Sequence, residues 1–301
     1  MVSETGAGLV FLLGVPRSGT TLLSALLDEH PDVCCPPEPW LAIALDAVGL
    51  VPAEHPAEAP TVGRAVSDFL EDASRVEAVR AFASRAYSSR MGSASVLVDK
   101  TPRYWQVLDR LEAWFPEAKY LLLRRDPFDV AASCLKTWGL DLAGHIRRGE
   151  WSPHALDLAL GVPRLEAFAE RMGERALAVS YERLVAAPAE ELERVHAFLG
   201  VPALVPASGE GGEVQLGEGV KRVTARLVGD KKILETSRVH SDSVGTGLRE
   251  LGDDRLRVID DVLGRALLSA MGYAGTAEAL RARGLEAPSE ARTAELRGAA
   301  E

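Results

Sequence analysis

Residues 14–21 read Gly14-Val15-Pro16-Arg17-Ser18-Gly19-Thr20-Thr21. An apolar run, Leu9–Leu13, precedes them, and a leucine-rich stretch with helical spacing, Thr20–Glu29, follows. A strand, a glycine loop and a helix in that order bring backbone N–H groups and a helix N-terminus to one point, which makes an anion site. A nucleoside-triphosphatase loop places a lysine directly after its second glycine, then a metal-binding hydroxyl. Here the lysine position is Thr20, and the cation has moved inside the loop as Arg17. Two glycines alone would equally mark a tight strand-to-helix turn. The arginine and the hydroxyls of Ser18, Thr20 and Thr21 argue for a ligand, one less charged than a γ-phosphoryl and held without a metal.

A second cluster, Arg124-Arg125-Asp126-Pro127-Phe128-Asp129, follows the apolar strand Tyr120–Leu123, and Ser133 lies eight residues beyond Arg125. Strand ends are where α/β proteins bind ligands, so Arg125 and Ser133 converging there would suit a phosphate. A surface arginine pair is the other reading, and Asp129 reads as a helix cap. A phosphosulfate donor fits the loop at 14–21, because its transferring sulfuryl carries less negative charge than a γ-phosphoryl. Its transfer to a hydroxyl needs a cation near the moving group, for which Arg17 and then Lys100 are candidates, and a base for the hydroxyl proton. Glu38 is the base candidate because Pro36, Pro37 and Pro39 restrict its backbone; His145 and His154 are the alternatives. His30 reads as a cap and His196 as an ordinary helical residue. Asp99, Lys100 and Arg103 either support the transferred group or cap a helix at Thr101-Pro102.

Elements able to position these groups alternate along the chain. Strands are expected at Leu9–Gly14, Ser95–Asp99, Tyr120–Arg124 and Leu177–Tyr181, with helices at Thr20–Glu29, Tyr104–Trp114, Pro127–Trp138, Ala189–Leu199 and Arg255–Met271. Gly209–Gly219 reads as a loop and Thr276–Glu301 as a helical or frayed tail. The fold class is α/β, a parallel sheet flanked by helices with a P-loop-like nucleotide-binding core. Helical insertions at about 41–91, broken at Val51–Pro60, and at 139–172 form a substrate cap. They would wall the acceptor pocket with Trp40, Phe69, Phe82, Tyr87, Trp138 and Trp151. Residues 1–275 read as a single domain.

Of 301 residues, 44 are acidic and 34 are Lys or Arg, a formal net charge of −10, which argues against nucleic acid as a partner. The cysteines are Cys34, Cys35 and Cys134, without metal-ligand spacing, which reads as a reducing compartment. No apolar run is long enough to span a bilayer. The expected location is therefore cytoplasmic, away from membranes, and the richness in Ala, Gly, Leu and Arg suggests a bacterial source.

"PRSGTT" at 16–21, "RDPFDVAAS" at 125–133 and "SYERL" at 180–184, in that order, resemble the sulfotransferase family over most of residues 8–273. The resemblance implies 3′-phosphoadenosine 5′-phosphosulfate as donor and 3′,5′-adenosine bisphosphate as product, with no metal. It implies that Pro16, Arg17, Ser18, Gly19, Thr20 and Thr21 bind the phosphosulfate, that Arg125 and Ser133 bind the 3′-phosphate, and that Tyr181 lies by the adenine. "DKTPRY" at 99–104 looks familiar too. "SVG" at 243–245 resembles a late loop closing over the nucleotide, without the arginine and tryptophan that often follow it there. The run from Pro16 to Glu38 further resembles tyrosylprotein sulfotransferases, whose base is a glutamate at this spacing; the likeness concerns the catalytic core and not their membrane anchor. The expected activity is sulfuryl transfer to a hydroxyl of a small-molecule acceptor. A Mg²⁺-dependent small-molecule kinase and a regulatory protein that binds nucleotide without turnover stay open as alternatives.

Overall fold

Leu9–Leu13 (β1) is buried at every position, as expected of a strand covered on both faces. Its side chains alternate between two cores. Leu9, Phe11 and Leu13 join one with Phe115, Tyr120 and Phe168, while Val10 and Leu12 join the other with Leu23, Leu121 and Val179. The computed structural model describes residues 1–48, 57–204, 214–224 and 238–301. Five parallel strands stand in the order β2-β3-β1-β4-β5, with β2 Val33–Cys34, β3 Val96–Lys100, β4 Lys119–Arg124 and β5 Ala176–Ser180. The sheet is the parallel α/β core expected from the alternating elements.

The helices between them are α1 Thr20–Leu27, α2 Leu41–Asp46, α3 Ala59–Phe69, α4 Asp72–Ser88, α5 Leu108–Trp114, α6 Pro127–Trp138, α7 Leu142–Arg147, α8 Pro153–Leu156 and α9 Val162–Met172, and after β5 come α10 Tyr181–Ala186, α11 Pro188–Leu199 and α12 Glu218–Thr224. Every connection leaving a strand's carboxyl end emerges at one edge of the sheet. That edge receives the loop 14–19 from β1, Cys35–Trp40 from β2, Thr101–Arg103 from β3, Arg125 from β4 and Tyr181 from β5. Asp126 accepts from the Phe128 N–H at 2.9 Å and Pro127 follows it, which starts α6 directly behind Arg125.

Several expectations need correction. The two-residue β2 had no periodic signal. Tyr104–Gln106 is a 3₁₀ turn before α5. The stretch expected as one helix over Arg255–Met271 is two, Asp253–Leu263 and Arg265–Ala270. Gly264, at φ 70°, breaks the helix in a backbone conformation that side-chain-bearing residues avoid. Within Gly209–Gly219, Gln215 bridges to Arg238 and Glu218 opens α12; 205–213 lie outside the described residues. Most of Val51–Pro60 also lies outside them. The insertion 139–172 contains a π-turn at Asp157–Gly161 between α8 and α9. The C-terminal residues include helices Ala274–Ala282 and Glu290–Ala300, and Arg297 on the latter donates to the carbonyls of Val262 and Leu263. Among the described residues no helix is long and apolar enough to cross a membrane.

Candidate functional site

The strand ends enclose a cleft of about 760 Å³. One wall is the loop after β1. Arg17 stands at φ 72° and Gly19 at φ 94°, both left-handed, and only the glycine adopts that conformation without strain. A Cβ at Gly19 would lie 2.5 Å from the Tyr181 ring, so glycine is needed there for space as well as for φ. No side chain caps the start of α1, which leaves its first amides available to an anion.

Pro16, Arg17, Gly19, Thr20 and Thr21 line the cleft, as do Arg125, Ser133 and Tyr181. Ser18 differs from expectation: its side chain is buried and its hydroxyl donates to the Val15 carbonyl at 2.7 Å, so it stiffens the loop instead of facing a ligand. The Arg17 guanidinium lies 5.1 Å from the Trp138 ring centre, and its Nε donates to Ser133 Oγ at 3.0 Å. Ser133 therefore meets Arg17 directly, not Arg125. The Arg125 guanidinium sits 4.3 Å over the Tyr181 ring and donates to the carbonyls of Arg17 (2.9 Å) and Ser243 (3.1 Å). Its Nε is buried with no hydrogen-bond partner among the described residues, a donor available to a bound anion. Tyr181 is clamped between Gly19 and Arg125, with its hydroxyl 2.8 Å from Ser243 Oγ.

Asp129 is not the helix cap; Asp126 is. Asp129 instead accepts from the N–H groups of Gly245 and Gly247, each at 2.7 Å, and so holds the late loop 243–247 against α6. Burial pushes the Asp126 carboxyl up to about 6.

The opposite wall carries Glu38. Its Oε1 accepts from Lys100 Nζ at 2.6 Å, and its Oε2 from the Trp40 indole at 3.3 Å. Both charged side chains are almost fully buried, and Lys100 also reaches Thr21 Oγ1 at 3.4 Å. The pair thus joins the phosphate loop to the turn after β2. Asp99 points to the other side of β3 and is buried among three hydroxyls; burial raises it to about 6, against the lowering effect of those bonds. Arg103 lines the cleft yet is held in a two-pronged pair with Asp157 on the π-turn.

His154 lines the cleft against Trp138, with ring centres 5.0 Å apart, and burial followed by Arg103 depresses its pKa. His145 does not line it; its ring meets Ser152 Oγ at 3.2 Å. The His30 and His196 rings lie 5.0 Å apart at a tilt of 51° and do not line the cleft; the His30 ring is tied to Pro202 O and the Asp32 N–H, and only its backbone N–H meets the end of α1, at the Leu27 carbonyl. Of the aromatics expected in an acceptor pocket, Trp40 and Trp138 face the cleft. Tyr87 belongs to the core, Trp151 packs partly buried against it, and Phe69 and Phe82 are exposed.

The cleft also includes Lys136, Thr137, Arg238 and His240, none singled out above as a site residue, and Ser243 of the "SVG" fragment, which the resemblance marks. Lys136 and Thr137 were findable, three and four positions after Ser133 on one helix face. The others come from far along the chain. Among the described residues no three His, Cys, Asp or Glu side chains stand close enough to hold a metal.

The model of the family described as "Sulfotransferase family" matches residues 10–205. The nodulation protein NoeE of Sinorhizobium fredii is 39% identical over 297 residues, spanning 92% of this chain and 68% of that protein. Protein-tyrosine sulfotransferase 1 of Danio rerio is 30% identical over 200 residues, 64% of this chain and 53% of that protein. Among solved structures, the sulfotransferase domain from the curacin biosynthetic pathway superposes with a TM-score of 0.56 at 22% identity, covering 88% of this chain and 98% of that one. The sulfotransferase domain from the olefin synthase of Synechococcus PCC 7002 gives 0.51 at 22%, covering 83% and 92%. At that identity these likenesses speak for the fold. The family match and the similarity to NoeE, on a sheet whose strand ends carry this anion loop, place the chain in the sulfotransferase family.

Proposed function

We propose that the chain transfers a sulfuryl group to a hydroxyl of a small-molecule acceptor, with Glu38 as general base. The observation that carries this reading is the buried Glu38–Lys100 pair, 2.6 Å long, set beside Thr21 of the anion loop. A carboxylate beside the site of transfer is placed to take a hydroxyl proton, and the adjacent ammonium to meet negative charge developing on the bridging oxygen. The donor, when bound, supplies an activated sulfuryl group. The loop amides, Arg17, Thr20 and Thr21 would hold its phosphosulfate, and Arg125, with its unpartnered Nε, together with Ser133 its 3′-phosphate; Tyr181 braces both. No step assigned to these residues calls for a metal ion.

Small-molecule acceptance is supported by the cleft volume of about 760 Å³, within the usual range for small-ligand pockets, and by the faces of Trp40 and Trp138. The test is transfer of labelled sulfate from the donor, in EDTA, to phenols, sugars, alcohols and a tyrosyl peptide, read by mass spectrometry. Sulfation of a small hydroxyl compound is expected. Sulfation of the peptide alone would overturn the acceptor class, and a strict Mg²⁺ requirement would revive the kinase reading.

A further inference from the structure

Lys100 and Asp99 are neighbours on β3 and point to opposite faces. Lys100 meets Glu38, whereas Asp99 meets only hydroxyl groups; both side chains are buried and neither lines the cleft itself. Its Oδ1 accepts from Thr101 Oγ1 at 2.9 Å, and its Oδ2 from the Tyr104 hydroxyl at 2.8 Å and the Tyr87 hydroxyl at 2.6 Å. A carboxylate only accepts, so each hydroxyl spends its single proton there and turns its lone pairs elsewhere. Thr101 Oγ1 then accepts from the Trp40 N–H at 3.3 Å, and the Tyr104 oxygen from the Ala42 N–H at 3.1 Å. These amides flank the start of α2, immediately after Glu38. Trp40 itself stands at φ 54°, a conformation that persists only where surrounding bonds hold it, and its indole is the second donor to Glu38.

We propose that Asp99 is a positioning residue for the base: through the hydroxyls of Thr101 and Tyr104 it hangs the segment Trp40–Ala42, and with it Glu38, in the orientation that takes the acceptor proton. This rests on the reading of Glu38 as base. The molecule contains its own control in Tyr87, which donates to the same Asp99 oxygen as Tyr104, while no bond from it to the Glu38 segment is seen among the described residues.

Steady-state kinetics with the small acceptor selected above, binding of 3′,5′-adenosine bisphosphate and thermal melts of the full chain test this. Thr101→Val and Tyr104→Phe are each expected to lose roughly tenfold in kcat, the scale of a sub-ångström misplacement. Acceptor KM and nucleotide Kd should stay within about twofold, as for loss of an interaction made only in the transition state. Thr101→Ser, which keeps the hydroxyl, should recover turnover. Tyr87→Phe, which loses only its bond to Asp99, should also melt earlier than the wild type yet keep kcat within about twofold. Should Thr101→Val not fold, the pair of Tyr→Phe variants decides. If Tyr87→Phe loses as much turnover as Tyr104→Phe, Asp99 is merely structural and the proposal is overturned. It is also overturned if Thr101→Val and Tyr104→Phe keep wild-type kcat while Glu38→Gln is inactive. Wild-type turnover in Glu38→Gln would remove the base reading itself.

Discussion

The two walls of the cleft are built by different means. The donor wall comes from the ends of β1, β4 and β5, and its geometry is largely backbone: two left-handed residues, an uncapped helix start and the Arg17 carbonyl gripped by Arg125. The acceptor wall comes from the turn after β2 and from α6 through the π-turn. It is held by side chains reaching across about 60 positions of sequence, as in Lys100–Glu38 and Tyr104–Ala42. The donor wall therefore tolerates little change at Gly19, because a side chain there strikes Tyr181. The acceptor wall can be reshaped by exchanging side chains without disturbing the sheet, which is where a family with one donor and many acceptors would vary.

Glu38→Gln separates the walls most sharply. The amide keeps the shape but cannot take a proton, so turnover should fall roughly 10²–10⁴-fold, the usual contribution of a general base. Calorimetric binding of 3′,5′-adenosine bisphosphate should be unchanged, because Glu38 itself bonds Lys100 and Trp40 and reaches the anion loop only through Lys100. Loss of nucleotide binding in that variant would merge the two walls into one unit. Arg17→Ala should lose on the order of 10²–10³ in rate, as for removal of one preorganised donor, and should also weaken nucleotide binding, because Arg17 reaches both Ser133 and Trp138. Near-normal activity would take Arg17 out of contact with the transferred group.

The same division decides what could be read from the chain. The donor wall was legible because its signals are contiguous: strand, glycine loop and helix within about twenty residues, or Arg125 and Ser133 two helical turns apart. Within it, the direction of a short side chain was not legible; Ser18 faces inward because the tight turn offers it the Val15 carbonyl. Glu38 was reached through its proline setting, but its partners Lys100 and Trp40 could not be derived from local pattern, and neither could the anchoring of residues 243–247 by Asp129, 116 positions away. β2 escaped because two residues carry no period. Gly264 escaped because an isolated glycine in an amphipathic pattern reads as a tolerated defect.

Recognition of the 3′-phosphate sharpens the donor side further. The buried Nε of Arg125 lacks a partner among the described residues, so a ligand that supplies one should stabilise the fold. At a hundredfold over its Kd, 3′,5′-adenosine bisphosphate should add about 2.7 kcal/mol, seen as a higher melting temperature, while ADP at the same concentration adds much less. Equal stabilisation by ADP would mean that Arg125 does not read the 3′-phosphate.

The smallest expected effect lies behind the donor wall, at Asp126. Burial raises its carboxyl from 3.8 to about 6, opposed by the bonds from Thr276 Oγ1 and the Phe128 N–H. A carboxyl that is harder to ionise when folded favours the folded state while protonated. Its contribution is therefore complete below the unfolded value near 4 and is lost as pH rises through about 6. Asn at this position stays neutral at every pH, remains a good helix cap, and can donate to Thr276 where the protonated acid would. From pH 5 to pH 7 the wild type should lose about 1 kcal/mol relative to Asp126→Asn, measured as the difference between their urea midpoints, so that titrations shared by both proteins cancel. Arg125 is the next residue, so the nucleotide Kd of the variant shows whether the cap merely starts α6 or also aims the guanidinium. An unchanged Kd at pH 7 is expected, because Arg125 is held by the Arg17 and Ser243 carbonyls and by the Tyr181 ring, not by Asp126. A difference between midpoints that does not change with pH would mean that Asp126 is ionised in the folded protein across the whole range.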